Sequence, residues 1–555
     1  MVKHMSKIRL TPLSFLCFLF LLTRLYGDSF KVTTTADSGP GSLRQAITDA
    51  NGHIGSDLIT FNIPTSDPHY NANTGVWTIR PAEQLPVLYD QATIIDGRSQ
   101  ALFIGRDTNP FGPEIEIDGS LSAYRNSGIR IQTDGVEILL LTINRFKDGS
   151  GISFDQSDGG RVGGCYVGVD PTGMTAAPNS YGIVVYSSSH INIQPQDGTP
   201  NIVSANPVAG ITITDSSYHN DVSGNIVGLN RTASDTIGNS YYGAYGGVCI
   251  STRSDSNTVV NNLIGGNKWA GVCLFSASDN LIADNCIGTN REWTEKFPNV
   301  AGGIAILSDA ADLPLNRSTG NLIRNNVIGN HSQYGISIEN QASYNTTLSA
   351  NAISNNSNLG IRLSDGANKA VEAPAIASIS PSIISGTAKP GFRIEIFNDK
   401  ANEGKLLLGS AITDRSGHFS LATTGYPLLP YVTATATDPD GNTSWFSKPL
   451  ATGVQTAPQE PVGMTFRLEQ NYPNPFNLGT TIGFTVPQQG FVSISLFDVH
   501  GRCIGVILND EMTPGDHSFH FNANDLPSGI YFYRLTALGI DGRSQQLTRK
   551  LMVMK

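Results

Sequence analysis

A four-residue pattern of glycine, apolar, any residue, apolar runs through the middle of this chain. It reads GIRI at 128, GISF at 151, GIVV at 182, GITI at 210, GVCI at 247, GVCL at 271, GIAI at 303, GISI at 335 and GIRL at 360. The shortest spacings are 23, 24 and 25 residues and the longest is 37. A minimum period with insertions is how a solenoid announces itself in sequence. Within each copy the apolar residues alternate, so the second and fourth positions share one face of a strand. A second motif runs in phase with the first: GNIVGLN at 224–230, NNLIGGN at 261–267, DNCIGTN at 284–290 and NNVIGN at 325–330. Around it, short apolar runs such as NLIADNCIG (280–288) and NLIRNNVIG (321–329) supply another strand.

Coils stacked at about 4.8 Å bury such residues as continuous apolar ladders. Asparagine tolerates left-handed backbone angles, and its side chain can bond the amide of the next coil. Asn262, Asn285 and Asn326 are therefore expected to form a ladder at one corner, and Asn257, Asn280 and Asn321 at another. Independent ligand sites would need charged or aromatic residues recurring beside each asparagine, and none recur. Charged residues make up only 15% of the chain, against about 25% in ordinary soluble domains, which suits turn-rich β architecture. The net charge of −10 argues against nucleic acid as a partner.

The first residues read as an export leader. Lys3, Lys7 and Arg9 precede the apolar run at 10–22, which is too short to span a bilayer, and small residues near Gly27 offer a cleavage site. This places residues 1–27 in a signal peptide, starts the mature chain near Asp28 and leaves no later transmembrane stretch. Five cysteines follow the leader, without CxxC spacing, so no metal site is expected from them. Cys249 and Cys273 hold the third position of successive GVC motifs. Neighbouring coils bring such residues within disulfide range, and an exported protein meets oxidising conditions; a bridge and two free thiols both remain open.

The stretch DSGPGSLRQAITDAN (37–51) is similar to the Cys-Ser-Leu-Arg-Glu-Ala motif that opens many exported β-helices, with Gly41 for the cysteine and Gln45 for the glutamate. Ser42 can cap a short helix whose Leu43, Ala46 and Ile47 face inward. DLITFNI (57–63) and QATIIDG (91–97) read as the first strands. With the repeats, this resembles the right-handed parallel β-helix proteins of the pectate-lyase-like superfamily over residues 30–370. The resemblance implies an all-β solenoid, here assigned to 28–371, but no particular activity.

From 372 the asparagines stop, and alternating strands with Gly, Pro and Asp turns resemble a bacterial immunoglobulin-like sandwich at 372–450. A Pro-containing linker occupies 451–463. FRLEQNYPNPFNLGTTIGFTVP (466–487), LPSGIYFYRL (526–535) and the basic end RKLMVMK then resemble the type A C-terminal sorting domain of type IX secretion, assigned to 464–555. Leu478 and Gly479 stand where that family often has Pro and Ser. The resemblance implies a second β-sandwich, the type IX machinery as partner, and release to the cell surface or medium of a Gram-negative bacterium.

The signatures of the superfamily's enzymes are missing. There is no Asp-Asp pair, no Gly-His-Gly and no Trp-Ile-Asp-His. DPH at 67–69 matches the Asp-Pro-His of mannuronan epimerases but precedes the repeats and continues with Tyr70, which favours coincidence. What remains are three insertions, 168–182, 228–247 and 288–303, that leave after equivalent strands and should line one edge. They and the corner between them carry Arg231, Tyr241, Tyr242, Tyr245, Lys268, Trp269, Arg291, Trp293 and Lys296, with Asp170, Asp235 and Glu295 nearby. Aromatics interleaved with polar groups suit sugar rings. The expectation is a monomeric, non-catalytic glycan-binding or adhesin-like surface protein without a cofactor. The alternatives are a lyase of acidic polysaccharides, in which calcium would have a role, and a passive stalk.

Overall fold

The computed structural model describes residues 27–123, 125–241, 245–309, 316–380, 382–423, 429–452, 466–477, 479–486, 490–499, 502–513, 515–523, 526–539 and 544–554. Residues 1–26 of the leader, most of the linker and Tyr242 fall outside these residues.

Three long sheets wind around one core, parallel throughout except for the hairpin at Tyr70–Asn71. Sheet I has 11 strands, from Ser29–Val32 to Thr347–Ser349. Sheet II has 11, from Tyr70–Asn71 to Ala352–Ser354. Sheet III has nine, from Ile129–Ile131 to Ile361–Ser364. Each coil visits them in that order, as in Leu281–Ala283, Cys286–Ile287 and Gly302–Leu307. Inward residues stack as read from the repeats: Val222, Val259, Ile282, Ile323 and Leu348 are register partners in sheet I, and Ile250, Leu274, Ile306 and Ile338 in sheet III. The glycine of each motif has a cause that the repeat alone does not show. A Cβ on Gly271 would stand 2.7 Å from Ile287 Cγ2, 2.8 Å from the Gly303 carbonyl and 2.9 Å from Asn299 Nδ2.

At the corner between sheets III and I, the backbone N–H and Nδ2 of Asn257 both donate to Asn280 Oδ1 (2.8 and 3.2 Å), and Asn280 repeats this on Asn321 (2.9 and 3.3 Å). Between sheets I and II, Asn262 bonds Asn285 and Asn285 bonds Asn326 in the same way. This ladder also takes in Asn201, Asn225 and Asn351. A third ladder, between sheets II and III, links Asn179, Asn206, Asn239, Asn267 and Asn299, then passes through His331 to Asn356. Its members lie beyond the insertions, at spacings that obscure the period.

The opening helix Leu43–Asn51 is capped by the Ser42 side chain, which accepts the Gln45 N–H, and buries Leu43, Ala46, Ile47 and Ala50. At the other end, Ala375–Ala451 forms antiparallel sheets of three and four strands with a shared core of Ile384, Ile394, Ile396, Phe419 and Val432. This region docks on the last coil. Glu395 accepts the Ser349 hydroxyl and the Ala350 N–H, Glu403 accepts both Asn356 donors, and Gly404 pairs with Ile353. Arg467–Val553 forms another pair of antiparallel sheets, with Leu468, Ile482, Ile494 and Tyr533 in its core. No described helix is long and apolar enough to cross a membrane.

Cys249 and Cys273 are register partners, buried on the outer side of sheet III. They are free thiols, so the bridge their spacing allowed is not formed. In-register parallel neighbours project side by side, and the two thiols share a hydrogen bond that, with burial, pushes Cys273 well above the usual thiol range. Cys165 is also buried, whereas Cys286 is partly buried and Cys503 exposed.

Candidate functional site

The insertions share one local design, which decides what their side chains are free to do. In each, an Asx residue directly after the start closes the loop. Asp170 Oδ1 accepts the N–H groups of Met174 and Thr175, Asn230 Oδ1 those of Ser234 and Asp235, and Asn290 Oδ1 those of Thr294 and Glu295. Bridges Val169–Ala176, Leu229–Thr236 and Thr289–Lys296 narrow the loops into hairpins. They fold back over sheet II instead of standing at its edge, and the first two enclose a small apolar cluster of Tyr166, Val169, Ile202, Ile226 and Ile237.

This folding separates the nine expected binding residues. Arg231 is committed to packing: its Nε donates to the Thr172 carbonyl at 3.1 Å and its guanidinium lies 5.3 Å from the Phe111 ring centre. Trp293 lies against Gly329, with Lys405 Nζ 5.0 Å from its ring centre. Arg291 donates to the Asp284 carbonyl at 3.2 Å and lines a hollow of about 290 Å³ beside Asn261, Asn290 and Cys286. Lys296 is exposed on the same hairpin as Arg291 and Trp293. The single ligand edge expected from sequence is thus not one site. Of the nearby carboxylates, Asp170 is spent on loop closure, and Asp235 accepts its neighbour Thr236 N–H.

Tyr241, Tyr245, Lys268 and the partly buried Trp269 stay together, on two successive coils where the chain enters sheet III. Tyr241 is 56% and Tyr245 40% exposed, and Lys268 Nζ sits 5.3 Å from the Tyr241 ring centre. Burial, with Tyr245 close by, raises the Tyr181 phenol above its usual range. Beyond this border lies the outer side of sheet III. Its middle column is short-chained, Ser153, Val184, Thr212, Cys249, Cys273, Ala305 and Ser337 in register. On the far side stand Tyr186 and Phe275, 41% and 42% exposed. Sequence reasoning missed these two because each occupies the last position of a strand whose motif had been read only through its inward residues. A low floor between two aromatic margins results, with the ion pairs Arg130–Asp155 and Arg362–Glu339 at its ends. The surface offers ring faces, with Lys268 beside the Tyr241 ring on one margin.

The Asp-Pro-His stretch is used by the scaffold: Asp67 accepts the Thr35 N–H and hydroxyl, and Thr35 also bonds His69 Nδ1.

Three family descriptions match parts of the chain: a right handed beta helix region at 231–373, a periplasmic copper-binding protein (NosD) at 112–297, and a secretion system C-terminal sorting domain at 470–554. The chain is a right-handed parallel β-helix protein that carries a type IX secretion sorting domain, and it is secreted or displayed at the cell surface. No curated protein matches it. Among solved structures, a periplasmic alginate epimerase aligns at 13% identity over 55% of this chain and 68% of its own, with a TM-score of 0.30. The A-module of a mannuronan C-5 epimerase from Azotobacter vinelandii aligns at 14% over 61% and 98%, with a TM-score of 0.32. An alginate lyase from Paenibacillus sp. aligns at 10% over 61% and 98%, with a TM-score of 0.24. Likeness of this degree says nothing about chemistry.

Proposed function

We propose that this protein binds an extended carbohydrate on the outer side of sheet III, without transforming it. One observation carries the reading: exposed aromatic side chains border a short-chained floor on both sides, with the Lys268–Tyr241 pair on one margin and Tyr186 and Phe275 on the other. Aromatic faces bury area at low entropic cost, and their tyrosine hydroxyls serve sugar hydroxyls. A lysine over an exposed ring adds about 0.5–1 kcal/mol to the order of that margin. The copper named in one matching family is not adopted for this chain: among the described residues no three His, Cys, Asp or Glu side chains converge to hold a metal ion.

The test is affinity electrophoresis of the mature chain in gels containing plant, algal and bacterial polysaccharides, with reducing-end release measured in parallel. Retardation by at least one polysaccharide is expected, weakened about tenfold by Tyr241→Ala or Phe275→Ala, a loss of about 1.4 kcal/mol. Release of reducing ends would replace binding by depolymerisation. Absence of retardation throughout would leave a stalk.

A further inference from the structure

A hollow larger than the one beside Arg291 lies elsewhere, on the outer side of sheet II at the first coils. It measures about 500 Å³ and is bounded by the hairpin residues Asn71 and Thr74 on one flank and by Asp170, Pro171 and Thr172 of the first insertion on the other. Its floor is charged. Thr78, Glu116 and Thr142 are register partners on three successive strands, and Asp118 and Asn144 form the next column. Such residues share the outward face of the sheet.

Glu116 and Asp118 are 6% and 4% exposed, and their charges are fully engaged. Glu116 accepts from Arg145 Nη1 (3.0 Å), Asn144 Nδ2 (2.9 Å) and the Thr78 hydroxyl (2.8 Å). Asp118 accepts from Arg80 Nε (3.1 Å) and the Ser120 N–H (2.9 Å), with Arg145 Nη1 at 3.6 Å. The arginines are not fully engaged. A guanidinium presents five N–H donors in a rigid fork. Arg80 uses its Nε alone and Arg145 its Nη1 alone, while both side chains stay more than a third exposed and line the hollow. Beside Glu116, the wholly buried Thr142 has a hydroxyl with no partner among the described residues. Buried carboxylates thus fix two guanidinium forks from behind and leave their open edges toward the cavity. The rim acid, Asp170, is engaged with its own loop's N–H groups and Thr172.

We infer that this hollow is a binding site for the carboxylate of a sugar acid, held by the open edges of Arg80 and Arg145, with sugar hydroxyls meeting Asn71, Thr74 and Ser120. Bidentate Arg–carboxylate contacts are the strong, directional ones, and the volume lies within the usual range for small-ligand sites. The site is on a different sheet from the aromatic surface of sheet III and stands or falls without it.

Titration calorimetry of the mature chain with D-glucuronate, D-glucose and inorganic sulfate tests this. Glucuronate is expected to bind at least tenfold more tightly than either of the others. Arg80→Gln leaves Asp118 with Arg145 and the Ser120 N–H, so the melting temperature should hold while glucuronate affinity falls at least tenfold. Arg80→Lys keeps the charge and removes the fork, and should lose affinity as well; it serves if the glutamine variant does not fold. Tyr241→Ala should leave glucuronate binding unchanged. Glucose binding as tightly as glucuronate, sulfate binding as tightly, no binding at all, or full affinity in a folded Arg80 variant would each overturn the assignment.

Discussion

His331 stands where the coils before it place asparagine. It accepts the Asn299 N–H on Nδ1 at 3.1 Å, but an imidazole has no second acceptor there, and Asn299 Nδ2 is left without a partner among the described residues. In the rung below, Asn267 donates both its N–H and its Nδ2 to Asn299. His331→Asn should therefore complete the ladder and add about 1 kcal/mol of stability at neutral pH. The substitution also changes the acid response. Burial pushes the His331 imidazole down to about 3, whereas in the unfolded chain it takes a proton near pH 6.5. Between these values the unfolded state binds more protons. The residue's contribution is thus complete above pH 6.5 and drains away as pH falls toward 3. At pH 4.5 wild type should have lost on the order of 2–3 kcal/mol that the asparagine variant keeps. Urea denaturation of both proteins at pH 7.5 and 4.5 reads this directly, and equal losses would refute it.

The coil is the element in which most of this protein's sequence logic is written. Its strands were legible because inward residues repeat as Ile, Val or Leu on a two-residue period, and two asparagine ladders were legible because their spacings of 23 and 41 residues coincide. The third was not, since variable insertions separate its members from the motif. The glycine of the motif marked the period, but its reason is this hidden ladder: the ladder's amide and a sheet II side chain occupy the space a Cβ would need. Gly271→Ala should then force a shift of Ile287 or Asn299 and cost about 2 kcal/mol, seen as a lower denaturation midpoint at unchanged slope. A midpoint equal to wild type would mean the ladder yields more easily than its geometry implies. The insertions teach the complementary lesson. Their arginines and tryptophan suggest ligand contacts, and Asp170 a carboxylate beside them, whereas Asp170, Asn230 and Asn290 serve to close the loops. Glu116 and Asp118 were missed because they precede the recognisable repeats and look like the solvated positions of an ordinary strand.

A stack of coils has two open ends, each exposing apolar side chains and unpaired strand edges. At the first end the helix Leu43–Asn51 lays four buried side chains over the core. At the other end the chain supplies a folded sandwich instead of a helix. Leu348 N–H donates to the Thr443 hydroxyl, Ala350 N–H to Glu395, Asn356 N–H to Glu403 and Ile353 N–H to the Gly404 carbonyl, while Phe446 packs against the solenoid core. Nothing in the sequence around Glu395 and Glu403 announces a partner on the solenoid. In the fold both are nearly buried, at 2% and 3% exposure, and burial pushes Glu403 up to about 7. Carboxylates are placed at such cost only where they have donors to satisfy. The sandwich is therefore the solenoid's terminal cap. Ending the mature chain after residue 371 should leave at least four last-coil N–H groups and an apolar end open, and yield protein that aggregates. Ending it after residue 452 should yield a soluble chain with a cooperative melt. Size-exclusion chromatography and thermal denaturation of the two at equal concentration distinguish these outcomes. A soluble shorter chain melting at the same temperature as the longer one would show that the last coil needs no cover and that the sandwich is held for another purpose.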